Sequence, residues 1–76
     1  MGISSRMSSS MTKIGLRIKE LRCSKNITQD QLAKTCDLDR TYISSVENGK
    51  RNISIKAIEA IASALDVSLS ELFEGM

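Results

Sequence analysis

The amino-acid sequence predicts a small all-α domain of five short helices, and two observations support this fold class. Apolar residues recur at helical spacing along most of the 76 residues, whereas no stretch alternates apolar and polar residues as a half-buried strand does. Ser, Thr and Asp residues precede the periodic runs, where they can cap helix N-termini. A chain this short predicts one domain with a small core, which leaves room for stabilisation by a partner subunit.

The N-terminal quarter of the chain divides into a tail and a helix. Residues 1–11 are Ser-rich and have no apolar periodicity, which predicts a disordered tail. The folded domain is therefore predicted to span residues 12–76. Its first helix has one apolar face, formed by Ile14, Ile18 and Leu21. The run Ser24-Lys25-Asn26 ends this periodicity.

The next two helices are predicted to lie close together in sequence. Thr28 and Gln31 have the spacing of a capping box, which marks the start of the second helix. After a short turn at Asp37, Asp39 is predicted to cap the third helix, and Gly49 is suited to the left-handed position that ends it. The inward residues of these two helices are Leu32, Ala33, Cys36, Ile43 and Val46.

The last two helices follow the same rules. Ser54 is predicted to cap the fourth helix, and Ser68 with Glu71 forms a second capping-box match that opens a short fifth helix. The apolar residues assigned to the fourth helix are Ile58, Ile61, Ala62 and Leu65. Those of the fifth are Leu69, Leu72 and Phe73.

Composition excludes several kinds of chemistry. The chain has no His, so no Ser/His/Asp or Cys/His catalytic arrangement exists, and Cys23 with Cys36 cannot close a tetrahedral zinc site. We therefore expect no metal, no cofactor and no enzymatic activity. No apolar run is long enough to cross a membrane, and two cysteines are too few for a disulfide framework. These features predict a reduced protein in the cytoplasm.

The net charge of +2 hides an uneven distribution along the chain. Residues 1–25 carry a net +5, residues 26–52 are balanced, and residues 53–76 carry a net −3. Such asymmetry indicates one surface for an anionic partner and another that avoids it. Solvated helix faces are the alternative interpretation of the same charges.

The second and third helices form the motif that carries the function. Helices joined by so short a turn cross at about 90–120°, so the third can project outward. Ala33 is small where the helices cross, and the third helix keeps a polar face of Arg40, Thr41, Ser44 and Ser45.

Three segments in and after these two helices read TQDQLA at 28–33, LDRTYIS at 38–44 and ENGKRN at 47–52. They resemble the Cro/C1-type helix-turn-helix family over roughly residues 14–73, and within it the controller proteins of restriction–modification systems. Many members have Gly where this chain has Asp37, which tolerates the left-handed region at modest cost.

A recognition helix in the major groove needs side chains near its N-terminus that reach base edges. Arg40 can pair with guanine O6 and N7, Thr41 can contact a base, and Ser44 and Ser45 can bond bases or phosphates. A salt bridge from Arg40 to Asp37 or Asp39 is the structural alternative. The predicted contacts to the DNA backbone are Gln29, Arg17, Tyr42, Lys50, Arg51 and Asn52. Tyr42 could equally pack its ring across the third helix.

Two further assignments concern structure and assembly. The resemblance implies a salt bridge between Arg22 and Glu47 that joins the first helix to the third. A dimer interface is assigned to Val67, Leu69, Leu72 and Phe73, although these residues could instead complete the core. A dimer is favoured because one short helix reads few base pairs, whereas two read half-sites about one helical turn apart.

The resulting hypothesis is a DNA-binding transcription regulator, a homodimer on a pseudo-palindromic operator. The resemblance implies control of restriction–modification genes, cooperative loading of two dimers, and RNA polymerase as a further partner where it activates. A phage-type repressor or an antitoxin is the alternative circuit. The alternative of another class is a helical protein-interaction module without specific DNA binding.

Overall fold

The computed structural model describes residues 3–74, with side chains from residue 10 onward, and these residues fold into five helices in the order expected. They are α1 (Ile3–Ser24), α2 (Gln29–Cys36), α3 (Arg40–Glu47), α4 (Ile55–Leu65) and α5 (Leu69–Leu72). Residues 3–74 contain no strand, so the predicted all-α class is confirmed. No helix among them combines the length and apolar character needed to cross a bilayer.

Helix α1 begins earlier than the sequence analysis predicted. Residues 3–11, which were assigned to a disordered tail, continue the helix toward the N-terminus, whereas residues 1–2 of that tail lie outside the described residues. Once the turns after Thr12 are formed, extension adds one hydrogen bond per residue. The segment contains no Pro or Gly to interrupt it. The domain boundary at residue 12 stays a prediction.

Local capping chemistry fixes where the later helices start. The hydroxyl of Thr28 accepts the backbone N–H of Gln31 at 3.0 Å, and the Gln31 side chain accepts the Thr28 N–H at 2.8 Å. Ser68 and Glu71 repeat this capping box at α5. Ser54 caps α4 by accepting the N–H of residue 57. Asp39 occupies the N-cap position of α3 with an extended backbone, but its side chain accepts no capping hydrogen bond.

The first four helices end in the same way. Just past the end of each helix, a single residue adopts the left-handed conformation. The backbone N–H of the next residue donates to the carbonyl five residues before it, as in the Schellman motif. The left-handed residues are Asn26, Asp37, Gly49 and Asp66. At Asp37 (φ 58°) this closure leaves only three residues between α2 and α3, and the Leu38 N–H donates to the Ala33 carbonyl at 2.8 Å. The short turn thereby fixes how α3 leaves α2.

In the core, α3 packs against α1 and α2, and α4 packs mainly against α2. The buried members of the core come from all five helices: Ile14, Ile18, Leu32, Ala33, Ile43, Val46, Ile61, Ala62, Leu65 and Leu72. Leu21, Cys36 and Ile58 pack against them and are half-buried. The apolar residues Leu69 and Phe73, assigned to a dimer interface with the core as the alternative, are both exposed.

Candidate nucleic-acid interface

Helix α3 presents a polar face because its apolar residues are fully used inside. Ile43 and Val46 are buried in the core, so the helix cannot rotate without exposing them. Arg40 and Thr41, in its first turn, are exposed, and Ser44 is half-buried one turn later. The outward face of α3 therefore offers a guanidinium and hydroxyl groups near the helix N-terminus. Ser45, also half-buried, is less available than predicted.

A buried ion pair fixes the far end of α3. Arg22 on α1 donates to both carboxylate oxygens of Glu47, with Nε to Oε2 at 2.7 Å and Nη2 to Oε1 at 3.0 Å. A third donor of Arg22, Nη1, bonds the Ile27 carbonyl at 2.7 Å. Gln29, the first residue of α2, donates from its amide to Glu47 Oε1 at 2.9 Å. One carboxylate thus joins α1, α2 and α3.

The hydrogen bond to Glu47 raises the pKa of Arg22 above its ordinary value, and burial of the guanidinium opposes this effect. A group whose pKa is raised by folding stabilises the native state fully below its unfolded-state pKa. That stabilisation is lost only as the pH rises through the folded-state pKa. Arg22 therefore stays charged, and its contribution to stability does not fade, anywhere near neutral pH.

A glycine on α1 allows the close approach of α3. A Cβ atom added at Gly15 would collide with the Val46 carbonyl oxygen and crowd that of Glu47, and both are backbone atoms. Gly49, just past the end of α3, also lies against α1. Its φ is +71°, and an added Cβ would lie 2.9 Å from the Thr12 hydroxyl oxygen. No local sequence pattern marks Gly15, because the residues that face it, Val46 and Glu47, belong to another helix.

Arg40 lies beside an open groove of about 780 Å³ between the α1–α2 turn and α3. Residues that line the groove include Arg22, Thr28, Gln29 and Asp30. Within residues 10–74, no carboxylate lies within 4.0 Å of the Arg40 guanidinium, so the alternative of a salt bridge to Asp37 or Asp39 is not formed. The fork of five donors remains available for an acceptor outside the protein.

Tyr42 connects α3 to the loop that precedes α4. Its hydroxyl accepts the backbone N–H of Ser54 at 3.4 Å, and the Arg51 guanidinium carbon lies 5.1 Å from its ring centroid. The ring is partly buried against the core and the hydroxyl keeps a proton to donate, so the contact of Tyr42 with the DNA backbone stays a prediction. Lys50, Arg51 and Asn52 are all exposed on this loop.

Two of the predicted contacts to the DNA backbone have partners inside the protein. The Gln29 amide is bonded to Glu47, so its side chain positions α3, while the N-terminus of α2 remains at the surface. Arg17 contacts α5: its Nη2 donates to the Glu71 carbonyl at 2.7 Å. The assignment of Arg17 to phosphate therefore differs from the structure. The helical periodicity predicts that Arg17 lies off the apolar face of α1. It does not predict in which direction the long side chain extends from there.

The four residues assigned to the dimer interface differ in burial. Leu72 is 0% exposed and belongs to the core, which corrects its assignment to an interface. Leu69 and Phe73 are 45% and 40% exposed, and Val67 is half-buried. In a one-turn helix with the other face covered by α1 and α4, Leu72 points inward and the flanking residues point outward.

The described residues hold no group of three or more Cys, Asp and Glu arranged to bind a metal ion. Cys23 is exposed on α1, whereas Cys36 is half-buried against the core. Burial raises the pKa of the Cys36 thiol, which keeps it protonated and poorly nucleophilic.

Comparison with known proteins agrees with this geometry. Residues 18–72 match the family model described as helix-turn-helix, which covers most of the chain. The protein therefore belongs to the Cro/C1-type helix-turn-helix family, and the resemblance drawn from its motifs is confirmed.

The relatives it matches include controller proteins of restriction–modification systems, and also the immunity repressor protein of Bacillus phage phi105, which is 37% identical over 59 residues. Control protein C.MunI of a Mycoplasma species is 48% identical over 62 residues, which span 80% of this chain and 84% of that protein. The crystal structure of the restriction–modification controller protein C.AhdI from Aeromonas hydrophila superposes with a TM-score of 0.83 at 43% identity, covering 86% of this chain and 98% of the other. The C.Esp1396I controller tetramer, solved with its natural 35-base-pair operator, gives a TM-score of 0.79 at 44% identity over 84% of each chain.

Proposed function

We propose that this protein is a sequence-specific transcription regulator that binds a pseudo-palindromic operator as a homodimer and controls restriction–modification genes. The observation that carries the proposal is the unpaired fork of Arg40 at the exposed start of α3, on a helix held in place by the Arg22–Glu47–Gln29 contacts. The controller relatives, of which C.Esp1396I is bound to its operator, support the same function.

Base recognition is assigned to the first turns of α3. Arg40 presents two parallel donors that match guanine O6 and N7, and Thr41 and Ser44 offer hydroxyl groups beside it. A rigid recognition helix limits the conformational entropy lost on binding. The buried contacts at Glu47 supply that rigidity, because they tie the end of α3 to two other helices.

Contacts to the sugar–phosphate backbone are assigned to surfaces on either side of α3. The N-terminus of α2 lies at the surface, where Thr28 is exposed and the helix dipole favours an anion. The loop on the opposite side carries Lys50, Arg51 and Asn52, and the stacking on Tyr42 restrains Arg51. These groups position the protein without reading sequence.

The homodimer is assigned to the exposed apolar residues of α5. Leu69 and Phe73, which lie one turn apart, would be covered by the same residues of a second copy across a two-fold axis. The net negative charge of residues 53–76 suits a surface that stays away from phosphates. The tetrameric C.Esp1396I complex supports a second dimer on one operator.

The same proposal places the protein in the cytoplasm and gives it no catalytic activity. Its function is to occupy DNA, with protein concentration as the regulatory input. RNA polymerase is a partner where occupancy activates a promoter.

The proposal is tested by footprinting on the DNA upstream of the gene, followed by binding titrations of the protected duplex and a scrambled one. Because a homodimer carries Arg40 on both half-sites, Arg40→Ala should bind the specific duplex at least about 30-fold more weakly, with little change on the scrambled duplex. Arg40→Lys is the matched control, since it keeps the charge and loses the fork. It should lose specificity nearly as fully as Arg40→Ala while retaining most non-specific affinity.

Two results would count against the proposal. Equal losses on both duplexes would mean that Arg40 contacts phosphate only. Wild-type binding that shows neither a preferred duplex nor a steep salt dependence would favour the protein-interaction module instead.

A further inference from the structure

Arg17 joins α1 to α5, the one-turn helix that exposes Leu69 and Phe73. Its Nη2 and Nε both donate to the backbone carbonyl of Glu71, at 2.7 and 3.3 Å. Nη2 also lies 3.6 Å from a carboxylate oxygen of Glu74, just beyond the end of α5. This contact spans 54 residues of sequence and has no part in the nucleic-acid interface.

Helix α5 depends on such outside contacts for its position. A helix of one turn has hardly any internal hydrogen bonds, and within the described backbone the Glu71 carbonyl near its end accepts only a 3.2 Å bond from the Glu74 N–H. The capping box of Ser68 and Glu71 secures its start, and the buried Leu72 secures its inner face. Arg17 supplies a charged donor to a carbonyl near its end. Three contacts thus define where the exposed side chains of α5 point.

The charges around Arg17 add a second reason for its importance. Glu71 and Glu74 lie on or next to α5, and a two-fold interface through this helix brings the same glutamates of both copies into one region. The Arg17 guanidinium, itself close to Glu20 and Glu74, offsets this accumulation of negative charge.

We infer that Arg17 is a positioning residue for the association of two copies of this chain: by holding the Glu71 carbonyl it sets the direction of Leu69 and Phe73. The inference rests on the homodimer proposed above. Arg17 acts through α5 and does not need to touch the second copy.

The test compares Arg17→Ala and Arg17→Lys with wild type by sedimentation equilibrium over a range of concentrations. Arg17→Ala should weaken dimerisation about tenfold or more, because the carbonyl loses a charged donor that fixed α5. Arg17→Lys keeps the charge but cannot place two donors on one carbonyl, so its dissociation constant should fall between the other two. Lys19→Ala is the matched control. It removes the same charge from an exposed position two residues further along α1 and should leave dimerisation unchanged.

A second measurement separates positioning from general loss of structure. Binding of each variant to a single half-site duplex, at concentrations where the chain is monomeric, reports on α3 alone and should match wild type. Binding to the whole operator should weaken for Arg17→Ala. If Arg17→Ala does not fold, the comparison of Arg17→Lys with Lys19→Ala decides the question by the same criterion.

The outcomes distinguish this inference from the proposed function. Equal dimer dissociation constants for wild type and the folded Arg17 variants would overturn the role of Arg17 and leave the regulator proposal intact. Half-site binding that falls in parallel with dimerisation would overturn it too, since α3 would then be affected. A wild-type chain that remains monomeric on its operator would overturn both.

Discussion

Arg17 and Arg22, five residues apart on α1, form ion pairs that differ in burial and in the part of the molecule they contact. Arg22 has a side chain only 11% exposed, and its partner Glu47 is 1% exposed. Arg17 is 23% exposed, and its carboxylate partners Glu20 and Glu74 are 70% and 74% exposed. The first pair lies beneath the candidate nucleic-acid interface, and the second set lies beside the exposed face of α5.

Burial decides what each contact is worth. A buried ion pair adds little net stability over an apolar pair of the same shape, but removal of one partner leaves a desolvated charge without compensation. An exposed pair is screened by water and salt, so its loss has a small effect. Removing either partner of the Arg22–Glu47 pair should therefore be costly for the position of α3, whereas the exposed ion pairs of Arg17 contribute little to that of α5.

The largest predicted effect comes from breaking the buried pair. Glu47→Ala should lower the free energy of unfolding by about 3–5 kcal/mol, because Arg22 keeps its charge and loses both carboxylate bonds. Urea unfolding followed by circular dichroism measures the change. Glu59→Ala, which removes an exposed carboxylate from α4, is the control and should stay within about 0.5 kcal/mol of wild type. A loss below about 1 kcal/mol for Glu47→Ala would show that the pair is not effectively buried.

A smaller effect is expected where one hydrogen bond to the same carboxylate is removed. Gln29→Met keeps the length of the side chain but loses the amide that donates to Glu47 at 2.9 Å. The free energy of unfolding should fall by about 1–2 kcal/mol, since the bond is to a charged acceptor that retains its two bonds from Arg22. Gln29→Ala should lose a similar amount. If Gln29→Met is instead as stable as wild type, the side chain is free to bind phosphate as the sequence analysis expected.

The features that sequence predicted well are those fixed by near neighbours. The capping boxes at Thr28 and Ser68 and the left-handed Gly49 depend on residues three or four apart, so spacing alone reveals them. The polar face of α3 follows from the helical period that buries Ile43 and Val46. This local information was enough to identify the family and the face that carries Arg40.

The features that sequence missed depend on which helix faces which. Arg17 and Gln29 are polar residues on helix surfaces, and only the packed fold shows that they turn toward Glu71 and Glu47. Leu69 and Leu72 are both Leu in the same short helix, yet one is exposed and the other is in the core. A helix of a single turn has too few residues for its apolar periodicity to show which of the two leucines faces the core.

The smallest predicted effect lies at α5 and concerns salt. Glu74→Gln removes the carboxylate 3.6 Å from Arg17 but leaves both bonds from Arg17 to the Glu71 carbonyl. The free energy of unfolding should change by less than about 1 kcal/mol at low ionic strength, and by less still in about 1 M salt, where screening extends only about 3 Å. Thermal unfolding of wild type and Glu74→Gln at both salt concentrations measures the difference. A loss above about 2 kcal/mol that persists in high salt would mean that the α5 contact resembles the buried pair at Arg22. The expected result would instead place the structural role of Arg17 in its hydrogen bonds to the backbone, which salt screens far less than an exposed ion pair.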